Sequence, residues 1–255
     1  AGIRLSQLEQ RKQLLEQAQL TLDENPNQKR INLTDPECRE QKSIGPGYNL
    51  QIATDNHLQI IIAHDVTAEP NDVNQLIPMV EQIEDNTQSL NQPKAIYADA
   101  GYASGRALSY LDEKPNVTAY IPNREHVHPD QPEQRFFIKQ EFDFDPSALT
   151  CRCPIGEAMR LESREMRRGV LNIKFKGTAC PTCDQKHLCT EAKYRKVRMT
   201  MADHLVRDMN ERMDSPAGKQ AMAIRRQTVE PVFGQLKEQL GFRKFHLRGL
   251  AKVKA

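Results

Sequence analysis

Between residues 48 and 122 the chain alternates strand-like and helix-like periods, and this constrains its fold more than any other feature. The run YNLQIATDNHLQIIIAHDVT, residues 48 to 67, holds two β-rich stretches separated by Asp55-Asn56-His57, which suit a hairpin turn, so two antiparallel strands are expected. Asn71 and Asp72 follow Pro70 as caps for a helix through Leu76, Val80 and Ile83. KAIYADAG then reads as a short apolar strand entering a glycine turn, GYASGRALSYLDEK as a second helix and NVTAYIP as a strand. The order strand, strand, helix, strand, helix, strand implies an α/β fold, a mixed sheet with helices packed on it.

The flanks differ. Residues 2 to 20 place Leu8, Leu15 and Ala18 near helical spacing among Gln, Glu and Arg, which predicts one amphipathic helix, broken by DENPNQKR. Residues 123–204 are first Pro-rich and charged, REHVHPDQPEQR, and then hold five of the six cysteines, as expected of an inserted Cys-rich module. From about Leu205 the pattern turns helical, and Val229, Phe233, Leu236 and Leu240, spaced by four, three and four, predict one apolar helix face. Pro231 lies within that pattern and removes a backbone donor, so the helix either kinks there or begins nearby. The expected organisation is an N-terminal segment 1–45, a first core part 46–122, the insertion 123–204, and C-terminal helices 205–255 that complete the core.

With 38% hydrophobic and 27% charged residues the chain is neither low-complexity nor disordered. No apolar run approaches the roughly 20 residues of a membrane helix, and the start AGIRLSQLEQRKQ lacks the apolar centre of a secretory signal, so a cytoplasmic protein without membrane contact is expected. The net charge of +2 hides an asymmetry: residues 219–255 hold nine Lys or Arg against two acids, leaving 27 against 32 elsewhere. A concentrated basic stretch is either a footprint for a polyanion or a solvated helix face.

Two carboxylates stand out. Asp99 closes a strand among Ala98, Ala100 and Gly101, at the edge of an α/β sheet where ligands bind; the plainer reading is a helix cap. Glu230 falls between Val229 and Phe233, on the apolar face, where an acid needs a partner. That partner is either Arg226 one turn earlier or a metal ion.

Together, RRQTVEPVFGQLKEQLGFRKFHLRGLAKVKA, YADAGY and GYNLQIATD resemble the DDE (Asp-Asp-Glu) transposases of bacterial insertion sequences, over about Asp35 to Ala255. The resemblance implies an RNase H-like domain in which three acids hold two Mg²⁺ ions, the first on the first strand, the second after the fourth and the third on a later helix. One branch bears a Tyr-x2-Arg-x3-Glu-x6-Lys signature. Arg226, Glu230 and Lys237 match it, and Ala223 departs at the Tyr position. By resemblance, Asp99 and Glu230 are catalytic metal ligands while Arg226 and Lys237 hold the DNA backbone. Two such ions activate a water or a DNA 3′-hydroxyl and stabilise the leaving oxygen, which makes the reaction phosphoryl transfer in DNA transposition.

The Asp-Gly-Thr-like strand that carries the first acid has no counterpart before residue 48, so the sheet is expected to lack its first strand. Asp35, in a Thr-Asp-Pro turn, and Asp55, in the hairpin turn, are poor substitutes. With two of three ligands, the truncated chain is expected to be inactive alone. Its partners by resemblance are transposon-end DNA and a second copy in a homodimer. The competing expectation is a non-enzymatic zinc- and DNA-binding remnant.

The cysteines are a separate constellation. Cys151 and Cys153 stand in CRCPIG, and Cys180, Cys183 and Cys189 in CPTCDQKHLC. A tight turn lets two thiolates reach one ion, so Cys153, Cys180, Cys183 and Cys189 are the candidate ligands of a structural Zn²⁺, against the alternative of reduced structural thiols. In the basic tail, Arg243, Lys244 and Arg248 interleave with Phe242 and Phe245, which suits DNA contact or a small core with solvated cations.

Overall fold

The computed structural model describes residues 2–24, 28, 30–41, 45–87, 93–123, 136–167 and 169–255; the Pro-rich run 124–135 lies outside them. In chain order the elements are α1 (Gly2–Glu24), β1 (Arg39–Gln41), β2 (Gly45–Gly47), β3 (Asn49–Thr54), β4 (Ile61–Thr67), α2 (Leu76–Thr87), β5 (Ala95–Tyr97), α3 (Gly105–Asp112), β6 (Thr118–Tyr120), β7 (Asp143–Asp145), β8 (Thr150–Arg152), β9 (Ala158–Arg167), β10 (Val170–Gly177), β11 (Lys196–Thr200), α4 (Asp203–Asp214), α5 (Pro216–Gly234) and α6 (Leu250–Lys254). Two compact units result, one of residues 1–92 and 224–255, the other of 93–223. No helix among the described residues is long and apolar enough to cross a membrane.

In the first unit, β3 and β4 form the expected antiparallel hairpin, with Asn49 opposite Thr67 and an irregularity at Ala53/Thr54. The turn is longer than three residues. Asp55 organises it by accepting from the backbone N–H groups of His57, Leu58 and Ile60 at 3.0, 2.9 and 2.6 Å, and Gln59 takes φ +58°. Helix α2 buries Leu76, Met79, Val80 and Ile83, the i, i+3, i+4, i+7 stripe of a helix lying on a sheet, and Met79 and Ile83 pack with Ala63 of β4. Ahead of it Asn71 accepts from the N–H of Val73, whereas the Asp72 carboxylate receives the side-chain amides of Asn49 and Gln51 from β3.

Helix α1 forms without the burial expected of an amphipathic helix. Leu8 and Leu15 are 63% and 51% exposed, and Ala18 is the one buried residue among the described side chains of α1. The apolar positions are too sparse for a continuous stripe. What favours the helix is local: a run rich in Leu, Gln and Glu, with i,i+4 contacts Lys12–Glu16 and Gln19–Asp23.

In the second unit, β5 and β6 pair in parallel, Ile96 beside Ala119, with α3 as the crossover that parallel strands require. The expected mixed sheet is therefore divided into two ladders, β3–β4 and β5–β6. Helix α3 buries Ala107, Leu108 and Leu111, and α4 buries Met209 and Met213. Arg212 of α4 donates to the carbonyl of Ala119 at 3.0 Å, tying α4 to β6.

The Cys-rich stretch is a five-stranded antiparallel meander, ordered β11-β10-β9-β8-β7. Its core is Phe142, Phe144, Cys151, Met159, Ile173, Phe175, Val197 and Met199. Burial pushes the Cys151 thiol pKa up to about 12, as expected of an inert core thiol. The strict alternation of Leu171, Ile173 and Phe175 with Asn172, Lys174 and Lys176 gives β10 one apolar face. On the other face Glu162 bridges Lys174 and Lys196 at 3.0 and 3.2 Å, and these two hydrogen-bonded ammonium groups hold its carboxyl below the usual range. Phe175 is fully buried at the centre, so Phe175→Ala is expected to cost about 3–5 kcal/mol of unfolding free energy by chemical denaturation.

Candidate functional site

Asp99 lies just past the carboxyl end of β5, in the unit of residues 93–223. Its Oδ1 accepts from the N–H of Gly101 at 2.7 Å and its carbonyl from the N–H of Tyr102 at 3.2 Å, which fixes a tight turn and leaves the half-buried carboxylate at the strand edge. It is not a helix cap. Ser104 takes that role at α3, accepting from the N–H of Ala107 at 3.2 Å. Tyr97 and Tyr120, the last residues of the two parallel strands, stack at 5.7 Å.

Glu230 belongs to the other unit, on the second half of α5. The sequence places it on an apolar face, and the structure corrects this. The buried positions of α5 are Gly218, Ala221, Thr228 and Val232, while Glu230 and Arg226 are both exposed. Two residues along a helix turn the side chain through roughly 200°, so Glu230 points away from the stripe that holds Thr228 and Val232. The expected face also fades towards the C-terminus, where Leu240 is 74% exposed. An exposed carboxylate needs no internal partner and is accessible to an ion.

Helix α5 runs through Pro231 rather than starting at it. Proline has no N–H, so the carbonyl of Gln227, one turn earlier, loses its helical donor. Gln59, at the tip of the β3–β4 hairpin, supplies a replacement: its side-chain amide donates to the Gln227 carbonyl at 3.0 Å. A residue 168 positions away thus completes the hydrogen bonding of the turn preceding Glu230. After Gly234 the helix widens into a π-helical turn, Gln235–Gln239, closed by the N–H of Leu240 on the carbonyl of Gln235 at 3.0 Å. Lys237 sits in this turn with its ammonium 5.3 Å from the centre of the Phe233 ring.

The basic tail is anchored on its aromatic side. Phe242 meets Phe245 edge to face at 5.3 Å, and Phe245 meets Tyr48 at 6.2 Å. Arg243 pairs with Glu238, whereas Lys244 and Arg248 lie exposed. Asp35 is buried. Its two oxygens accept from the Tyr48 hydroxyl at 2.8 Å and the N–H of Gly249 at 3.2 Å, and burial together with this carboxylate pushes the Tyr48 phenol well above its ordinary range. Asp35 and Asp55 therefore both have structural roles, one holding the tail and the other the hairpin turn.

Cys153, Cys180, Cys183 and Cys189 line one pocket beside the meander core, which Cys153 and Cys189 also touch. Sequence reasoning missed the residue that organises it. Arg195 donates to the carbonyls of Cys189 and Phe137 at 3.2 and 2.9 Å, its guanidinium lies 5.5 Å from the Phe142 ring centre, and its backbone N–H donates to Cys180 Sγ at 3.4 Å. The clue available was its position next to β11, whose Val197 and Met199 alternate with Lys196, Arg198 and Thr200. Among the described residues no group of three or more His, Cys, Asp or Glu is gathered closely enough to hold a metal ion.

Residues 152–255, fewer than half of the 255, match the family model of the transposase DDE domain, which supports a DDE transposase. The matched stretch takes in Arg226, Glu230, Lys237 and the four pocket cysteines, whereas Asp99 precedes it. No curated protein and no solved structure matches the chain.

The Gln59 contact makes a measurable prediction. Gln59→Ala is expected to cost about 0.5–1.5 kcal/mol in the native chain, because the Gln227 carbonyl is then left without a protein donor. In a Pro231→Ala background, where the helix supplies its own N–H, the same substitution should cost less. A double-mutant cycle by urea denaturation measures the difference, and equal costs in both backgrounds would refute the compensation.

Proposed function

We propose that this chain has the RNase H-like core of a DDE transposase, and that Asp99 and Glu230 are two of the three carboxylates that hold its divalent ions. The observation that carries the reading is the family match over 152–255, which contains the spacing Arg226-x3-Glu230-x6-Lys237. The donor set suits Mg²⁺, a hard cation bound by carboxylate and water oxygens. Bound there, two ions supply the Lewis acidity that phosphoryl transfer needs on both sides of the scissile phosphate.

The residues of this chain then have defined tasks. Asp99 offers its carboxylate from a turn pinned by Gly101, a rigid placement that limits the reorganisation needed to take up an ion. Glu230 offers an exposed carboxylate from a helix whose preceding turn is held by Gln59. Arg226, one turn before Glu230, and Lys237 position the DNA backbone through phosphate contacts, a role for which the fork of Arg and the point charge of Lys are suited. Lys244 and Arg248, with Arg243 exchanging Glu238 for phosphate, extend that contact along the tail. Asp35 and Asp55 are less suited to be the third acid, because in each both carboxylate oxygens already accept hydrogen bonds, from the Tyr48 hydroxyl and the Gly249 N–H at Asp35 and from the N–H groups of His57, Leu58 and Ile60 at Asp55.

Two measurements test this. Duplex affinity, read by anisotropy, is expected to fall as salt rises, and Lys244→Glu and Arg248→Glu should each weaken binding to all sequences and lower the salt slope by about one. Affinity unchanged by both substitutions would remove the DNA-binding role of the tail. In a strand-cleavage assay with Mg²⁺ or Mn²⁺, the 255-residue chain is expected to show no turnover. Turnover lost in Asp99→Asn or Glu230→Gln would show that another acid of the chain completes the site; turnover surviving both substitutions would overturn the assignment of these two residues.

A further inference from the structure

Four of the six cysteines share one pocket although they come from three separate turns. Cys153 opens the turn between β8 and β9, where its N–H donates to the Glu157 carbonyl at 2.9 Å and its own carbonyl accepts from Gly156 at 2.8 Å, with Gly156 at φ +86°. Cys180 starts a 3₁₀ turn with Pro181, closed by the N–H of Cys183 on the Cys180 carbonyl at 3.4 Å. A second 3₁₀ turn, Lys186–Leu188, delivers Cys189. The remaining cysteines are elsewhere: Cys151 is buried in the meander core against Met159, and Cys38 is buried in the other unit.

Cys180 Sγ accepts from the Arg195 N–H and packs on Gly177, where an added Cβ would lie 2.4 Å from the sulfur. The Arg195 guanidinium is met by two carbonyls and a ring and, among the described residues, by no carboxylate; its Nε is buried without a partner. A cation placed this way beside four neutral thiols is incompletely compensated, whereas beside four thiolates around a divalent ion it offsets part of a net charge of −2.

We propose that this pocket is a structural zinc site whose ligands are Cys153, Cys180, Cys183 and Cys189, with Arg195 as its charge-balancing neighbour. No three of the sulfurs are gathered at ligand distance in this structure, so binding requires the turns that carry them to close on the ion. Binding releases the four thiol protons and draws the thiolates to about 2.3 Å from the ion. The ion would join the turn after β8 to the two 3₁₀ turns that follow β10. The proposal is independent of the transposase reading.

Metal analysis of the chain purified without chelator tests it. One zinc per chain is expected, retained in Cys38→Ser and reduced to below about a tenth in the double variant Cys180→Ser/Cys183→Ser. Co²⁺ added to the reduced, metal-free chain should give the intense visible absorption of a tetrahedral thiolate site, a readout that stands even where the double variant does not fold. Absence of both zinc and the Co²⁺ spectrum, iron in place of zinc, or zinc content indifferent to the double substitution would each overturn it.

Discussion

A proline inside a helix orphans a carbonyl that water or another part of the chain must satisfy, and in the unit of residues 1–92 and 224–255 a distant side chain does so. Pro231 leaves the Gln227 carbonyl unpaired, and Gln59 reaches it from the tip of the β3–β4 hairpin. The tip is shaped for this: Asp55 gathers three backbone N–H groups, and Gln59 adopts a left-handed backbone conformation unusual for a residue with a side chain. The hairpin is thereby fixed to the helix turn that precedes Glu230. The tail follows the same logic at its own end, where buried Asp35 accepts from the N–H of Gly249, 214 residues away, and Lys254 pairs with Asp65 of β4 at 2.8 Å.

In the unit of residues 93–223 the organising principle is alternation. Ile173 and Phe175 turn inward from β10 and meet Val197 and Met199 from β11, while Lys174 and Lys196 pair with Glu162 of β9. Arg195 sits where this sheet gives way to the cysteine pocket. It holds Cys189 and Phe137 through their carbonyls, so the pocket wall and the meander share one side chain. None of the residues that line the pocket is one assigned to phosphoryl transfer.

Element order between residues 48 and 122 was legible because each element announces itself locally: the Leu76, Val80, Ile83 spacing for α2, the Asp55 turn for the hairpin, the small residues after β5. The meander was not among the expected elements: the two-residue period of Leu171, Ile173 and Phe175 lies in a stretch that its cysteines mark only as an inserted Cys-rich module. Glu230 was misplaced for a different reason. Val229, Phe233, Leu236 and Leu240 have helical spacing, yet the side that is buried is set by Thr228 and Val232, a choice that depends on what the helix packs against. For α1, Leu8 and Leu15 mark a face that stays exposed among the described residues.

The sequence by itself determined the periodic elements, the concentration of positive charge after residue 219, and the spacing of Arg226, Glu230 and Lys237, because all of these are properties of neighbouring residues. Only the tertiary structure decided that Gln59 completes helix α5, that Asp35 holds the Tyr48 hydroxyl and the Gly249 N–H, and that four cysteines and Arg195 surround one pocket while Cys151 does not. These are contacts between residues tens to hundreds of positions apart. A hydrogen bond or a shared cavity depends on where the chain returns in space, and local pattern carries no record of that.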